Sequence, residues 1–281
     1  MHKKLCYHTH NSYCDGQNTI EEMVYNAVLQ GVSHIGISSH APIKKNNKWS
    51  ISYQQLENYS TEIDKIRDLF SNEINVFKSL EMDYIPNLTY SFSHFNELLD
   101  LDFTIGSIHL VLNKANNKLW FIDGNKEECQ NNFNSIFSGN IKEAITSYYN
   151  QIREMVSTQK PNIIGHLDKV VMNTAGEFFN ESEEWYQEEI IKTLAVIKEN
   201  NGIIEVNTRG LYKNKWHTSF PSPEILKMSN KLDIPIVISS DAHSITELSG
   251  AYDIAINIAL KAGYRHQMIF NNGKWTKTKL T

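Results

Sequence analysis

Histidines and acids in this chain recur two residues apart. His8-Thr9-His10 stands near the start and Asp241-Ala242-His243 near the end. On a strand, residues i and i+2 project to one face about 7 Å apart, where both can hold one cation. Between the two pairs lie His40, Glu81, His109 and His166, with Asp15 in the loop just after His10. A lone H-x-H is a weak signal, a histidine on a strand is commonly a core residue, and Asp-Gly is an ordinary turn. The placement is what carries information, because six of the eleven histidines fall at the ends of short apolar runs. Nine candidate ligands exceed the three or four of a mononuclear site. They predict two or three divalent ions, with a carboxylate such as Glu81 bridging. Imidazole and carboxylate ligands without thiolate suit Zn, Mn or Fe. Three dications against three carboxylates and a bridging hydroxide leave about +2, the complement of a phosphate monoester dianion. Clustered metals acidify a bound water and hold both oxygens of a displacement, so the expected reaction is phosphoester hydrolysis.

Such residues meet only if the chain brings run ends together. The apolar runs are Lys4–His10, His34–His40, Ile74–Tyr84, Phe103–His109, Asn162–Asp168, Gly202–Thr208 and Ile234–His243. Helical spacing separates them: Thr19–Gln30 with a Thr19/Glu22 capping box, Tyr53–Phe70, Ile141–Ser157, Glu184–Glu199 and Glu247–Lys261. Alternating strands and helices predict a parallel sheet, and seven strands fit a closed or nearly closed barrel better than an open doubly wound sheet. In such a barrel the carboxyl ends of all strands open onto one face. The segment Asn113–Ser138 reads as a long aromatic loop over that face, with Trp120, Phe121 and Asp123 as possible substrate contacts. The tail after Gly263, with Lys274, Lys277 and Lys279, reads as a solvated end.

Composition narrows the classes. The chain has 281 residues, 41% hydrophobic and 21% charged, enough for a sizeable core, and the expectation is one domain over residues 1–281. A net charge of -5 argues against a nucleic-acid surface, and Lys44-Lys45 is the one evident basic run. No apolar stretch approaches the roughly 18 residues of a membrane span, and the start lacks a signal-peptide core. Three cysteines in no paired spacing suit a reducing, cytoplasmic setting.

Taken in order, His8-Thr9-His10, Ser39-His40, Leu80-Glu81, Gly106-Ser107-Ile108-His109, Gly165-His166-Leu167-Asp168, Glu205-Val206-Asn207-Thr208 and Ser240-Asp241-Ala242-His243 resemble the polymerase and histidinol phosphatase (PHP) family. The similarity is greater to its histidinol-phosphatase branch and covers about residues 4–262. The resemblance implies a distorted (β/α)7 barrel with a trinuclear site that hydrolyses L-histidinol phosphate to L-histidinol and phosphate, in histidine biosynthesis. It implies His8, His10, Glu81 and Asp241 on a first metal, Glu81, His109 and His166 on a second, and Asp15, His40 and His243 on a third. A hydroxide between the metals would attack phosphorus, with Asp15, Glu81, Asp241 and His243 as the catalytic set. For substrate binding the candidates are Arg209, Lys169 and His217. Many relatives carry a small residue at the position of Arg209 and an arginine where this chain has Tyr212-Lys213. The remaining histidines (His2, His34, His94 and His266) read as structural or surface residues.

Overall fold

The computed structural model describes residues 4–44 and 47–280; His2 and Lys45, read above as a structural or surface residue and as part of a basic run, lie outside the described residues. Seven strands stand side by side in chain order: Lys4–Cys6, Val32–Ile37, Asn75–Asp83, Phe103–Ser107, Ile163–Ile164, Ile203–Asn207 and Ile236–Ser239. Every neighbouring pair is parallel. The first and last strands approach each other beyond their formal ends. There Thr9 bridges Ala242, the His10 N–H donates to the Ala242 carbonyl at 2.8 Å, and the Ala242 N–H to the His8 carbonyl at 3.3 Å. The sheet is thereby a nearly closed barrel, and the two histidine-bearing tripeptides themselves draw it shut.

A helix follows each strand: Ile20–Leu29, Leu56–Leu69, Phe92–Leu99, Ile141–Gln159, Glu184–Glu199, Pro223–Lys231 and Tyr252–Lys261. This is the expected (β/α)7 order. The first helix begins on the Thr19/Glu22 capping box, in which each side chain serves the other's backbone N–H. The second turns Leu56, Tyr59, Ile63 and Ile66 inward and its charged face outward, and each such buried side chain stabilises by roughly 1.5–3 kcal/mol.

Four expectations need correction. The strands are shorter than the apolar runs, since His8, His10, His40, His109, His166, Asp241 and His243 fall past the last ladder residue; of the ligands, Glu81 alone lies within a formal strand. Residues 113–138 are not a loop. Leu110–Asn113 and Lys118–Phe121 pair as an antiparallel hairpin, followed by a helix over Lys126–Phe137. The Trp120 ring is buried there, its Nε1–H donating to the Cys129 carbonyl, so it does not face a substrate. Nor is the tail a solvated end. His266–Asn271 and Lys274–Lys279 form a second hairpin through a two-residue turn at Asn272-Gly273, both at positive φ. Its Ile269 and Phe270 pack with Leu5, Tyr7, Phe103, Ile105, Ile163, Ile203 and Val237. The Phe270 N–H also donates to the Tyr7 hydroxyl at 2.9 Å. This hairpin is the apolar floor of the barrel, opposite the histidine-bearing strand ends. Finally, the last helix starts at Tyr252 instead of Glu247, because Ile245–Glu247 is a separate 3-10 turn and Ala251 adopts a left-handed conformation.

Candidate metal centre

Glu81 is the hub. It ends up buried on the third strand, and imidazoles from four other segments reach its carboxylate. Oε2 lies 3.2 Å from His8 Nε2, 3.5 Å from His10 Nε2 and 2.9 Å from His40 Nδ1. Oε1 lies 3.0 Å from His166 Nε2 and 3.8 Å from His109 Nε2. Asp241 closes the other side, with Oδ1 at 3.3 Å from His10 Nε2 and 3.8 Å from His8 Nε2. Asp15 caps the open edge, 3.4 Å from His243 Nε2 and 3.8 Å from His40 Nε2. All nine residues expected from sequence are therefore in one place.

Backbone geometry at the edges of this cluster is specialised. Asp241 and His166 both sit at positive φ, +54° and +22°, where side chains other than glycine are uncommon and strain tends to mark functional positions. Asp15 comes down on the cluster because Gly16 lies against the chain at His10-Asn11, where any Cβ would stand 2.3 Å from the Asn11 nitrogen.

Outer partners orient the rings. His8 Nδ1 is 2.7 Å from Glu205 Oε1, and His109 Nδ1 is 3.1 Å from Asp83 Oδ1. A carboxylate only accepts, so each Nδ1 carries a proton and each Nε2 is the nitrogen turned toward Glu81, able to give a lone pair to a cation once its own proton is displaced. His243 Nδ1 likewise faces the Asp241 carbonyl at 3.1 Å, leaving Nε2 toward Asp15. Glu205 does more, accepting the His166 N–H at 2.8 Å and the Asn207 amide at 3.0 Å. Glu205 and Asn207 belong to the Glu205-Val206-Asn207-Thr208 motif noted in the sequence, whereas Asp83 and Trp49 were not singled out there. The Trp49 ring stands edge-on to His40, with centroids 4.9 Å apart, and 6.2 Å from His109. Its placement follows from Asn47, whose side-chain oxygen accepts the N–H groups of Trp49 and Ser50.

The electrostatics describe a site built for cations. Burial opposes charge on Glu81, yet His8, His40 and His109 outweigh it and hold its carboxyl well below the usual range. Asp241 is lowered in the same way, burial being overcome by the charge of His8 and by His10, whose Nε2 lies 3.3 Å from Oδ1. Asp15 follows, its desolvation outweighed by the His243 hydrogen bond and the His40 charge. In return His8 is raised well above an ordinary imidazole, the charges of Glu205, Glu81 and Asp241 overcoming its burial. His109 is raised to about 9, where Asp83 and Glu81 overcome burial. Burial depresses His10 and His166 further, helped for His10 by His243 and His40 and for His166 by Lys169. His8 Nε2, His10 Nε2 and His166 Nδ1 are buried with no hydrogen-bond partner. Buried, unpartnered imidazole nitrogens gathered around ionised carboxylates fit divalent metal ions.

Three groups of donor atoms, each within 4.8 Å, take in seven of the nine: His8, His10 and Glu81; His10, Asp15, His40 and His243; His40, Glu81 and His109, with His166 and Asp241 in none of them. The sharing of His10, His40 and Glu81 between groups is the signature of adjacent ions.

The substrate-binding candidates fare differently. Lys169 lies beside the cluster, 5% exposed, with Nζ 2.8 Å from Asp123 Oδ2. Arg209 is engaged with the protein through Nη1. Its Nη1 donates to the Asp241 carbonyl at 2.8 Å and to Glu247 and Tyr212 at 3.1 Å, which braces the strained Asp241 turn. His217 is placed elsewhere. It lines a cleft of about 780 Å³ with Glu181, Tyr186, Glu224 and Met228, none of which belongs to the cluster.

Comparison with known proteins agrees with this arrangement. The PHP domain model matches residues 6–209. The chain belongs to the PHP family. A histidinol-phosphatase of Bacillus subtilis is 24% identical over 263 residues, covering 88% of this chain and 96% of the relative. The PHP fold is shared with the HisK protein of Listeria monocytogenes, with a TM-score of 0.76 at 21% identity, over 89% of this chain and 99% of that one. It is shared too with the histidinol phosphate phosphatase of Lactococcus lactis, solved with Zn, L-histidinol and phosphate (TM-score 0.71, 22% identity, 98% and 99% covered). No described helix is long and apolar enough to cross a membrane.

Proposed function

We propose that the protein is a metal-dependent phosphomonoesterase that hydrolyses L-histidinol phosphate to L-histidinol and phosphate. The observation that carries this reading is the convergence of His8, His10, Asp15, His40, Glu81, His109, His166, Asp241 and His243 around one carboxylate at the barrel mouth. The substrate is supported by relatives of matching length named for that activity and by the Lactococcus structure holding both products.

In this reading His8, His10, Glu81 and Asp241 hold a first ion, Glu81 with His109 and His166 a second, and Asp15 with His40 and His243 a third. Divalent ions there supply the positive charge that offsets a phosphate dianion and the acidity that makes an attacking oxygen available near neutral pH. The chain's own groups do the rest. Glu205 and Asp83 keep lone pairs of His8 and His109 turned inward. Asp15, the most exposed carboxylate of the set at 35%, stands at the open edge of the site, where the departing alcohol would leave. Trp49 walls the His40–His109 side, where a flat imidazole leaving group can lie against its ring.

The test is to purify the protein without chelator and to measure bound metal together with turnover of histidinol phosphate, an aryl phosphate and single-stranded DNA. The reading expects two to three ions of Zn, Mn or Fe and a preference for histidinol phosphate. Full activity in metal-stripped protein ends it, and a preference for DNA moves the protein to a nuclease.

A further inference from the structure

The PHP cluster offers metal sites, and a phosphoryl group brings oxygens that a protein cation can also meet; Arg209 Nη1 is turned to the Asp241 backbone. Attention falls on the other cation near the cluster. Lys169 opens the 3-10 turn Lys169–Asn173 three residues after His166, whose carbonyl accepts the Lys169 N–H at 2.9 Å. Lys169 thus stands on the turn that leaves the His166 strand end, and Glu81, Asp241, His166 and His109 are near enough to interact with its charge. Its side chain is 6% exposed, and Asp123 is its one partner among the described residues. An ammonium carries three donors, so beside Asp123 this one can also meet an oxyanion.

Asp123 is delivered deliberately. It follows the hairpin Leu110–Phe121, and the flanking carbonyls of Ile122 and Gly124 both accept from the Asn173 side-chain amide, at 2.9 and 3.3 Å. Asn173 belongs to the same turn as Lys169, so one residue fastens the Asp123 segment to the turn on both sides of the ion pair. Gln130, from the helix that follows the hairpin, donates to the Asn173 carbonyl at 3.2 Å and completes the clamp.

We propose that Lys169 is the protein's own cation for the substrate's phosphoryl oxygens and that Asp123, set by the Asn173 clamp, is its positioning residue. The inference rests on the phosphomonoesterase reading above but not on which ester is cleaved.

Inorganic phosphate is the probe, titrated calorimetrically into metal-loaded parent, Lys169→Met, Lys169→Arg, Asp123→Asn and the double variant Lys169→Met/Asp123→Asn. Metal content and the kcat and KM for an aryl phosphate are measured alongside. Lys169→Met is expected to weaken phosphate binding about tenfold or more, the size of a lost charge-assisted hydrogen bond, and to raise KM more than it lowers kcat, with metal content unchanged. Lys169→Arg recovers part of the affinity. Asp123→Asn weakens phosphate binding by about threefold or more alone and adds nothing to Lys169→Met, because it acts through the lysine. Should Lys169→Met lose metal or fold, the decision passes to Lys169→Arg and Asp123→Asn, both of which must change phosphate affinity at full metal loading. Parent-like phosphate binding by Lys169→Met, or an Asp123→Asn effect of equal size in both backgrounds, overturns the proposal. Failure to hydrolyse histidinol phosphate would show separately, since neither the phosphate titration nor the aryl substrate depends on that ester.

Discussion

Glu205→Gln is the sharpest perturbation available, since it alters no ligand and almost no volume. Glu205 is fully buried; Oε1 takes the His8 Nδ1 proton at 2.7 Å, while Oε2 takes the His166 N–H at 2.8 Å and the Asn207 amide at 3.0 Å. All three partners are donors, so an amide NH2 meets a donor whichever way it is flipped. Facing His8, it drives the imidazole proton to Nε2 and removes the lone pair aimed at the cluster. Facing His166 instead, it sets the NH2 against a backbone N–H at a residue already held at φ +22°. Loss of such an outer partner typically lowers metal affinity by about 10- to 100-fold, or about 1.4–2.7 kcal/mol. The mismatched donor costs about 1–3 kcal/mol of stability, a fall in Tm of about 2–12 °C for a chain of this size. Titration against a chelating fluorophore and thermal melting by circular dichroism read the two effects. Affinities within twofold of the parent for every ion tested would refute the argument that Glu205 sets the His8 tautomer.

Other outcomes follow from the same geometry. His8→Ala or Asp241→Asn should abolish phosphatase activity and reduce bound metal, while the circular dichroism spectrum stays that of the folded parent. Metal affinity should rise with pH up to about 9: burial opposes charge on His109, but Asp83 and Glu81 raise it to about 9, so below that pH an incoming ion must displace its proton. Chelator competition at pH 6, 7.5 and 9 checks this, and a flat profile contradicts it. Phe270→Ala, in the barrel floor, should cost about 3–5 kcal/mol in denaturant unfolding yet leave kcat per bound metal unchanged well below Tm, because it lies opposite the mouth. Trp49→Ala should raise KM for histidinol phosphate by about two- to tenfold with metal content retained, and have a smaller effect on a non-aromatic phosphate ester.

The ligand set was legible because every member but Asp15 lies at or near the end of an apolar run and the runs alternate with amphipathic segments, so a parallel barrel had to collect them. Its outer partners were less so. Asp83 is two residues past Glu81 on a strand whose ligand was already assigned, and only the approach of His109 shows what it holds. The brace that Arg209 Nη1 forms was not legible either, because it depends on the left-handed turn at Asp241, which no local pattern announces. The C-terminal hairpin, by contrast, did carry a signal: Asn272-Gly273 between two short alternating stretches is the sequence of a tight hairpin turn, masked by the surrounding lysines. The hairpin at residues 110–121 had only Asn116-Asn117 to mark its turn, and its four-residue strands are too short for periodicity to show. Asn117 does adopt the positive φ that such a turn requires.

The central claim is that the strand ends hold several cations around Glu81. Anomalous diffraction from crystals grown with Zn or Mn tests it most directly. The account predicts two or three peaks within coordination distance of His8, His10, Asp15, His40, Glu81, His109, His166, Asp241 and His243, with Glu81 touching more than one. A single peak away from Glu81, or an ordered cluster that stays metal-free at saturating ion, would contradict it.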